Sequence, residues 1–205
     1  FEAYAAVIER DIRRIRSLDS EIKVLNIGAT AVGTAINVNP VYLFHIIRNV
    51  NLVCGTDCSQ AEDLFDATQN LDGFVHTSAA LRVCAVNLSK ICNDLRLLSS
   101  GPKAGLGEIN LPPKQNGSSI MPGKINPVIP EVVNQVAFNI IGNDMTITMA
   151  AEAGQLELNA FEPIIFYNLF ESLETLASAV NTLVDNWHPF TRPRKPPETS
   201  SLNTT

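Results

Sequence analysis

The stretch 117–126 reads GSSIMPGKIN, which brings two serine hydroxyls, a lysine and an asparagine together within ten residues. A serine hydroxyl is a poor base or nucleophile until neighbouring positive charge or backbone N–H groups lower its pKa. Ser118 and Ser119 have three such sources at hand: the N–H groups of the loop, the Lys124 ammonium and the N-terminus of a following helix. Pro130 fits only the first turn of a helix, so that helix is predicted to start between Pro127 and Pro130 with Glu131 early in it. Lys124 offers a point charge and Asn126 a pair of amide donors, a set that can grip a carboxylate. The same residues also read as a plain turn, with Gly117, Pro122 and Gly123 bending the chain, the serines capping it and Lys124 solvated. Composition alone favours the turn, and neither reading selects a reaction.

Such a loop needs a rigid frame, and the flanking sequence supplies one. Phe74, Leu81, Leu88 and Leu95 recur every seven residues, with Thr77, Cys84, Ile91 and Leu98 as a second seam, which predicts a long bundle-packed helix over 74–98. At about 1.5 Å per residue it is almost 40 Å long and calls for long neighbours. Two are predicted: 128–151, with Val132, Val136, Ile140 and Ile141 on its packed side, and 163–186, with Ile165, Leu169, Leu173, Leu176, Val180 and Leu183. Gly142, Asn143 and Asp144 interrupt the first of these and stand for a kink, a water-filled seam or a break. Residues 1–18 carry Phe1, Tyr4, Ile8, Ile12 and Ile15 at amphipathic spacing. Between helices, 25–40, 99–127 and 152–163 are rich in Gly, Asn or Pro and read as loops, the middle one long enough to be functional or disordered. The last stretch, 187–205, loses its periodicity, is Pro-rich and reads as a disordered tail after a helical domain over 1–186. No segment is long enough to argue for a sheet, although 22–38 is ambiguous, and the class is all-α.

Composition narrows the partners. The 205 residues are 45% hydrophobic and 18% charged, enough for a globular core, with a formal charge of −6 that gives no basic stripe to follow a phosphate backbone. Nucleic acid is therefore an unpromising partner, and no apolar run reaches the roughly 20 residues that cross a bilayer. The chain opens FEAYAAVIERD, without an initiator Met or a signal-peptide pattern, and its N-terminus reads as cut. Cys54, Cys58, Cys84 and Cys92 lack paired CxxC spacing, so neither a disulfide framework nor a metal is predicted, and the CGTDC pair at 54–58 reads as small apolar filler.

The ordered residues of GSSIMPGKINP have the form GSSxMPxKxNP and resemble the signature loop of the aspartase/fumarase superfamily. GATAVGTAIN at 28–37, SKICNDLRLLSSGPKAGLGEINLP at 89–112, NPVIPEVVNQVAFNIIGND at 126–144 and AEAGQLELNAFEP at 151–163 extend the likeness to about residue 186. Within the superfamily, NPVIPEVVNQV and AGQLELN resemble the aspartase branch more than the fumarase branch. The resemblance implies a partial long-helix bundle of this type. It also implies a cofactor-free anti elimination of L-aspartate to fumarate and ammonia through an aci-carboxylate, in a cytoplasmic setting. Ser118 would be the base, Ser119, Lys124 and Asn126 would bind substrate, and Glu131 would pair across a subunit boundary with a histidine. Thr34 and Asn37 lie in a family segment near the site, or are turn residues, and Ala35 stands where a glycine is common. His45, His76 and His188 match no family catalytic histidine.

The family builds each site from three regions on three subunits of a tetramer, and one of these regions is complete here. The resemblance implies a chain cut at both ends, with the N-terminal domain and most of the C-terminal domain absent. Expected partners are therefore a small dicarboxylate and either three further copies or full-length subunits. Fumarate hydratase and a catalytically dead assembly module are the competing readings.

Overall fold

The computed structural model describes residues 1–101, 104–117, 119–121 and 123–186. Among them the chain is helical, with α1 over Glu2–Ser17, α2 over Asp19–Ile22, α3 over Pro40–Cys54, α4 over Asp66–Gln69, α5 over Asp72–Leu98, α6 over Val128–Glu152 and α7 over Glu162–Asp185. Strand content is one short parallel pair, β1 (Val24–Leu25) with β2 (Ser59–Gln60), in the register Val24 opposite Ser59. The all-α class predicted from the seven-residue seams is the one observed. The tail from 187 lies outside the described residues.

Two compact units are distinguished, the first made of Phe1–Asn87 and Ala137–Leu176, the second of Leu88–Val136 and the chain from Ala177. The predicted seams of α5 fill the cores: Leu81 and Cys84 are buried in the first unit, Leu88, Ile91 and Leu95 in the second. In the first unit Phe74 of α5 meets Phe166 of α7 edge-on at 4.9 Å.

The same unit buries polar groups in matched sets. Asp144 of α6 accepts from the Ser78 hydroxyl of α5 at 2.7 Å and pairs with Arg82 Nε at 2.7 Å. Asn143 donates to the Ser172 hydroxyl and to Glu171 of α7, at 3.1 and 2.8 Å. A buried polar group without a partner costs far more than a paired one, so these matches specify how the helices align. They also resolve the Gly142–Asp144 interruption, because α6 runs through it unbroken and its polar side chains reach across to neighbouring helices.

Two expectations about the helices are corrected, and a third helix carried no expectation. In α6, Val132 and Ile141 are 44% and 38% exposed, and the buried row is Val133, Ala137, Ile140, Asp144 and Ile147. The helix is apolar on two sides, and its buried side is the one whose polar residues find partners. In α1, Phe1, Ile12 and Ile15 are exposed and the buried residue is Asp11, whose carboxylate accepts from Asn87 at 2.8 and 3.0 Å and from Arg14 at 2.5 Å. Periodicity counts apolar residues and cannot see such a pair. No periodicity marked α3, since Val41, Phe44, Leu52 and Val53 lie exposed around it. Its signals are its ends: the Asn39 side chain caps Val41 N at 2.9 Å, Pro40 opens the first turn, and Gly55 closes the helix at φ +66°.

The turn after α3 corrects the reading of CGTDC as filler, for Cys54 is exposed and Cys58 half-buried. Asn51 organises it, its amide oxygen accepting from Cys58 N and its amide nitrogen donating to Cys58 O, both at 2.8 Å. By contrast Cys84 and Cys92 are buried, and burial pushes their thiols up to about 11 and about 12, which leaves them protonated and inert near neutrality.

Candidate active site

The long segment between α5 and α6 belongs to the second unit, and it is tied down at its start. The Ser100 hydroxyl donates to Leu97 O at 2.6 Å and accepts from Leu106 N at 3.1 Å, while Gly107 N reaches Ser100 O at 2.7 Å. Glu108 N and Ile109 N close on Leu98 O at 2.9 and 3.3 Å, so residues 107–109 cover carbonyls that the end of α5 would otherwise leave open. Gly105 is required there, because a Cβ at that position would sit 2.2 Å from the Ser100 carbonyl carbon.

The segment ends in the signature loop. A Cβ on Gly117 would lie 3.6 Å from Lys124 O, so the two ends of GSSIMPGK stand side by side. Lys124 N bonds to Met121 O at 3.1 Å across Gly123, whose φ of +84° suits glycine. Val128 N bonds to Asn126 O at 2.9 Å and Glu131 N to Pro127 O at 3.2 Å, which starts α6 where Pro127 and Pro130 predict. A shallow apolar crevice lined by Leu95, Leu111, Pro112, Val128 and Leu183 underlies this junction.

Of the predicted site residues, Ser118 lies outside the described residues. Ser119 and Lys124 are exposed, Asn126 is half-buried, and Glu131 is in the first turn of α6. The second unit therefore brings Ser119, Lys124, Asn126 and Glu131 onto one loop and the helix end it feeds, where a partial positive charge favours an anion. Thr34 and Asn37 belong to the first unit and have turn geometry: the Thr34 hydroxyl accepts from Ile36 N at 3.3 Å, and Asn37 has φ +63°. Ala35 takes the left-handed conformation at φ +51°. His45 is exposed beside Phe44, His76 contacts Glu21 at 2.9 Å, and His188 lies outside the described residues. Among the described residues no group of three or more His, Cys, Asp or Glu side chains is arranged to hold a metal, and no helix is long and apolar enough to cross a membrane.

Sequence reasoning passed over a polar chain beneath the loop. Arg96, in the last turn of α5, has one guanidinium nitrogen 3.8 Å from Glu131 and donates from the other to Asn134 Oδ1 at 3.4 Å. Asn134 is 3% exposed and spends its amide N–H groups on the Ser89 hydroxyl and carbonyl, at 2.8 and 3.0 Å. The available signal was charge at the two ends of one loop, a base closing α5 and an acid opening α6.

A family model described as Lyase matches residues 1–142. The chain belongs to that family. The aspartate ammonia-lyase of Bacillus subtilis (strain 168) is 50% identical to this chain over 186 residues, which is 91% of this chain and 39% of that enzyme's length. A crystal structure of fumarate lyase:delta crystallin from Brucella melitensis, bound to cobalt, matches with a TM-score of 0.87 and 50% identity over 91% of this chain and 40% of that one. The recombinant class II fumarase from Schistosoma mansoni matches with a TM-score of 0.79 and 34% identity, over 90% and 42%. The chain thus spans about two fifths of the length of the relatives it matches. The partial long-helix fold implied by the resemblance is accordingly the fold present.

Proposed function

We propose that this chain supplies the loop-bearing wall of an aspartase-type active site, in which L-aspartate is converted to fumarate and ammonia. Ser118, activated by loop N–H groups and the Lys124 ammonium, takes the proton from Cβ. The electron pair left behind is held as an aci-carboxylate, then forms the carbon–carbon double bond as the C–N bond breaks and ammonia leaves with its bonding pair. Lys124, Asn126 and Ser119 grip the carboxylate, where preorganised donors stabilise the growing negative charge best. Glu131 supports the site from the first turn of α6.

The observation that carries this reading is the 50% identity to an aspartate ammonia-lyase across 91% of the chain, against 34% to a class II fumarase. The fumarase likeness keeps malate dehydration as a second reading, since loss of water and loss of ammonia share the same carbanion. The other walls of the site come from other regions of the family's chain, on neighbouring subunits. Exposed apolar side chains support such an assembly, among them Phe138, Met145 and Met149 on α6 and Tyr167 and Phe170 on α7, with exposures from 57% to 64%. The setting that goes with a free dicarboxylate substrate is the cytoplasm.

The test is to fold the chain together with a full-length aspartate ammonia-lyase whose own loop serine is replaced by alanine, inactive by itself, and assay the mixed assembly on L-aspartate and on L-malate. Fumarate from aspartate alone is the expected result, and fumarate from malate alone replaces the reading with a hydratase. The 205 residues by themselves are expected to release no ammonia, and turnover comparable to a complete enzyme would contradict the shared site.

A further inference from the structure

We propose that Arg96 is a positioning residue for this site: gripping Glu131 and Asn134 together, it locks the first turn of α6 to the last turn of α5 and so fixes the loop that presents Lys124 and Asn126. The proposal rests on the reading of that loop as the substrate-binding wall.

Three observations converge. Arg96 closes α5 and Glu131 opens α6, the helix ends where the macrodipole favours a cation and an anion respectively, yet the two side chains turn toward each other at 3.8 Å. The second prong of the guanidinium reaches Asn134 Oδ1 at 3.4 Å, three residues beyond Glu131 and on the same helical face. Asn134 cannot turn its nitrogen toward Arg96, because both amide protons are committed to Ser89. Arg96 is thus held in place by a fixed acceptor whose own orientation is set from inside the unit.

Magnitudes separate positioning from stability. The side chains of Arg96 and Glu131 are 42% and 33% exposed, so the pair itself adds little to folding, on the order of 1 kcal/mol or less. Geometry is the larger effect. The other end of the segment is already pinned by the Ser100 turn, and the run from Lys124 to Glu131 is short, so a shift of the first turn of α6 moves the substrate-binding donors with it. Only a planar fork can hold both acceptors; a lysine ammonium keeps the charge but not the two-point grip.

The experiment compares Arg96→Lys, Glu131→Gln and the double variant in the 205-residue chain by amide hydrogen exchange and thermal melting. Arg96→Lys is expected to melt close to the parent while the amides of Ile120–Val128 exchange roughly tenfold faster, with Glu131→Gln doing the same and the double variant going no further than either. Exchange in that stretch unchanged in Arg96→Lys, faster exchange spread evenly along α5 and α6 with a lowered melting point, or additive effects in the double variant would each overturn the proposal. In the mixed assembly, Arg96→Lys is expected to lower kcat for aspartate by about tenfold with a smaller change in KM; an unchanged kcat overturns it as well. A parent assembly without any lyase activity would remove the functional reading, and the exchange comparison would still decide the role of Arg96.

Discussion

Ser78 on α5 donates a 2.7 Å hydrogen bond to the carboxylate of Asp144, a residue that sits in the buried row of α6 with 8% of its surface exposed. Arg82 takes the other oxygen at 2.7 Å from a position 45% exposed. Asp144→Ala therefore strands a buried hydroxyl and an arginine, and is expected to cost roughly 2–4 kcal/mol of folding stability. Urea denaturation measures it, and a loss below about 0.5 kcal/mol, the range of ordinary surface changes, would mean the match does not align the helices.

Ala35 holds φ +51° with its N–H bonded to Ala29 O at 2.8 Å. A Cβ in the left-handed region costs about 1–2 kcal/mol, and glycine removes that cost while adding up to about 1 kcal/mol of unfolded-chain entropy. Ala35→Gly is accordingly expected to raise stability by about 0.5–1 kcal/mol, a melting shift of roughly 1–4 °C. A lowered melting temperature would show that the turn is not strained.

Cys84 and Cys92 set an alkaline limit. Burial raises both thiols from the ordinary 9.0 to about 11 and about 12, so the unfolded chain gives up these protons first. Their contribution to stability is complete below about pH 9 and is lost as the pH rises toward their folded values. Replacing both by alanine is expected to flatten the fall in the urea midpoint between about pH 9 and about pH 11, and an equally steep fall in the variant would assign it to other groups.

What was legible in the chain follows from what each signal measures. Seven-residue spacing found α5 because its seam is apolar and continuous, and Pro127 with Pro130 located the start of α6 because proline tolerates only a first turn. The packed side of α6 was misread because Asn134, Asn143 and Asp144 face inward, where a tally of apolar residues counts against them. Helix α3 was missed because apolar residues surround it, and only Asn39 and Gly55 mark its bounds. The proposed roles of Lys124 and Asn126 came from the family resemblance, since their chemistry alone fits a plain turn as well, and neither signal pointed to Arg96. Its role depends on a meeting with Glu131 and Asn134 across 35 and 38 residues of chain.

Under the proposed function, this chain brings a working serine to a site completed by other regions of the family's fold. This is tested most directly by pairing the chain with a full-length aspartate ammonia-lyase whose own loop serine is replaced by alanine, so that neither partner acts alone. The mixed assembly is expected to form fumarate from L-aspartate, and Ser118→Ala in this chain is expected to abolish it. A mixed assembly demonstrated by sedimentation that forms no fumarate, or one whose activity survives Ser118→Ala, would contradict the proposed function.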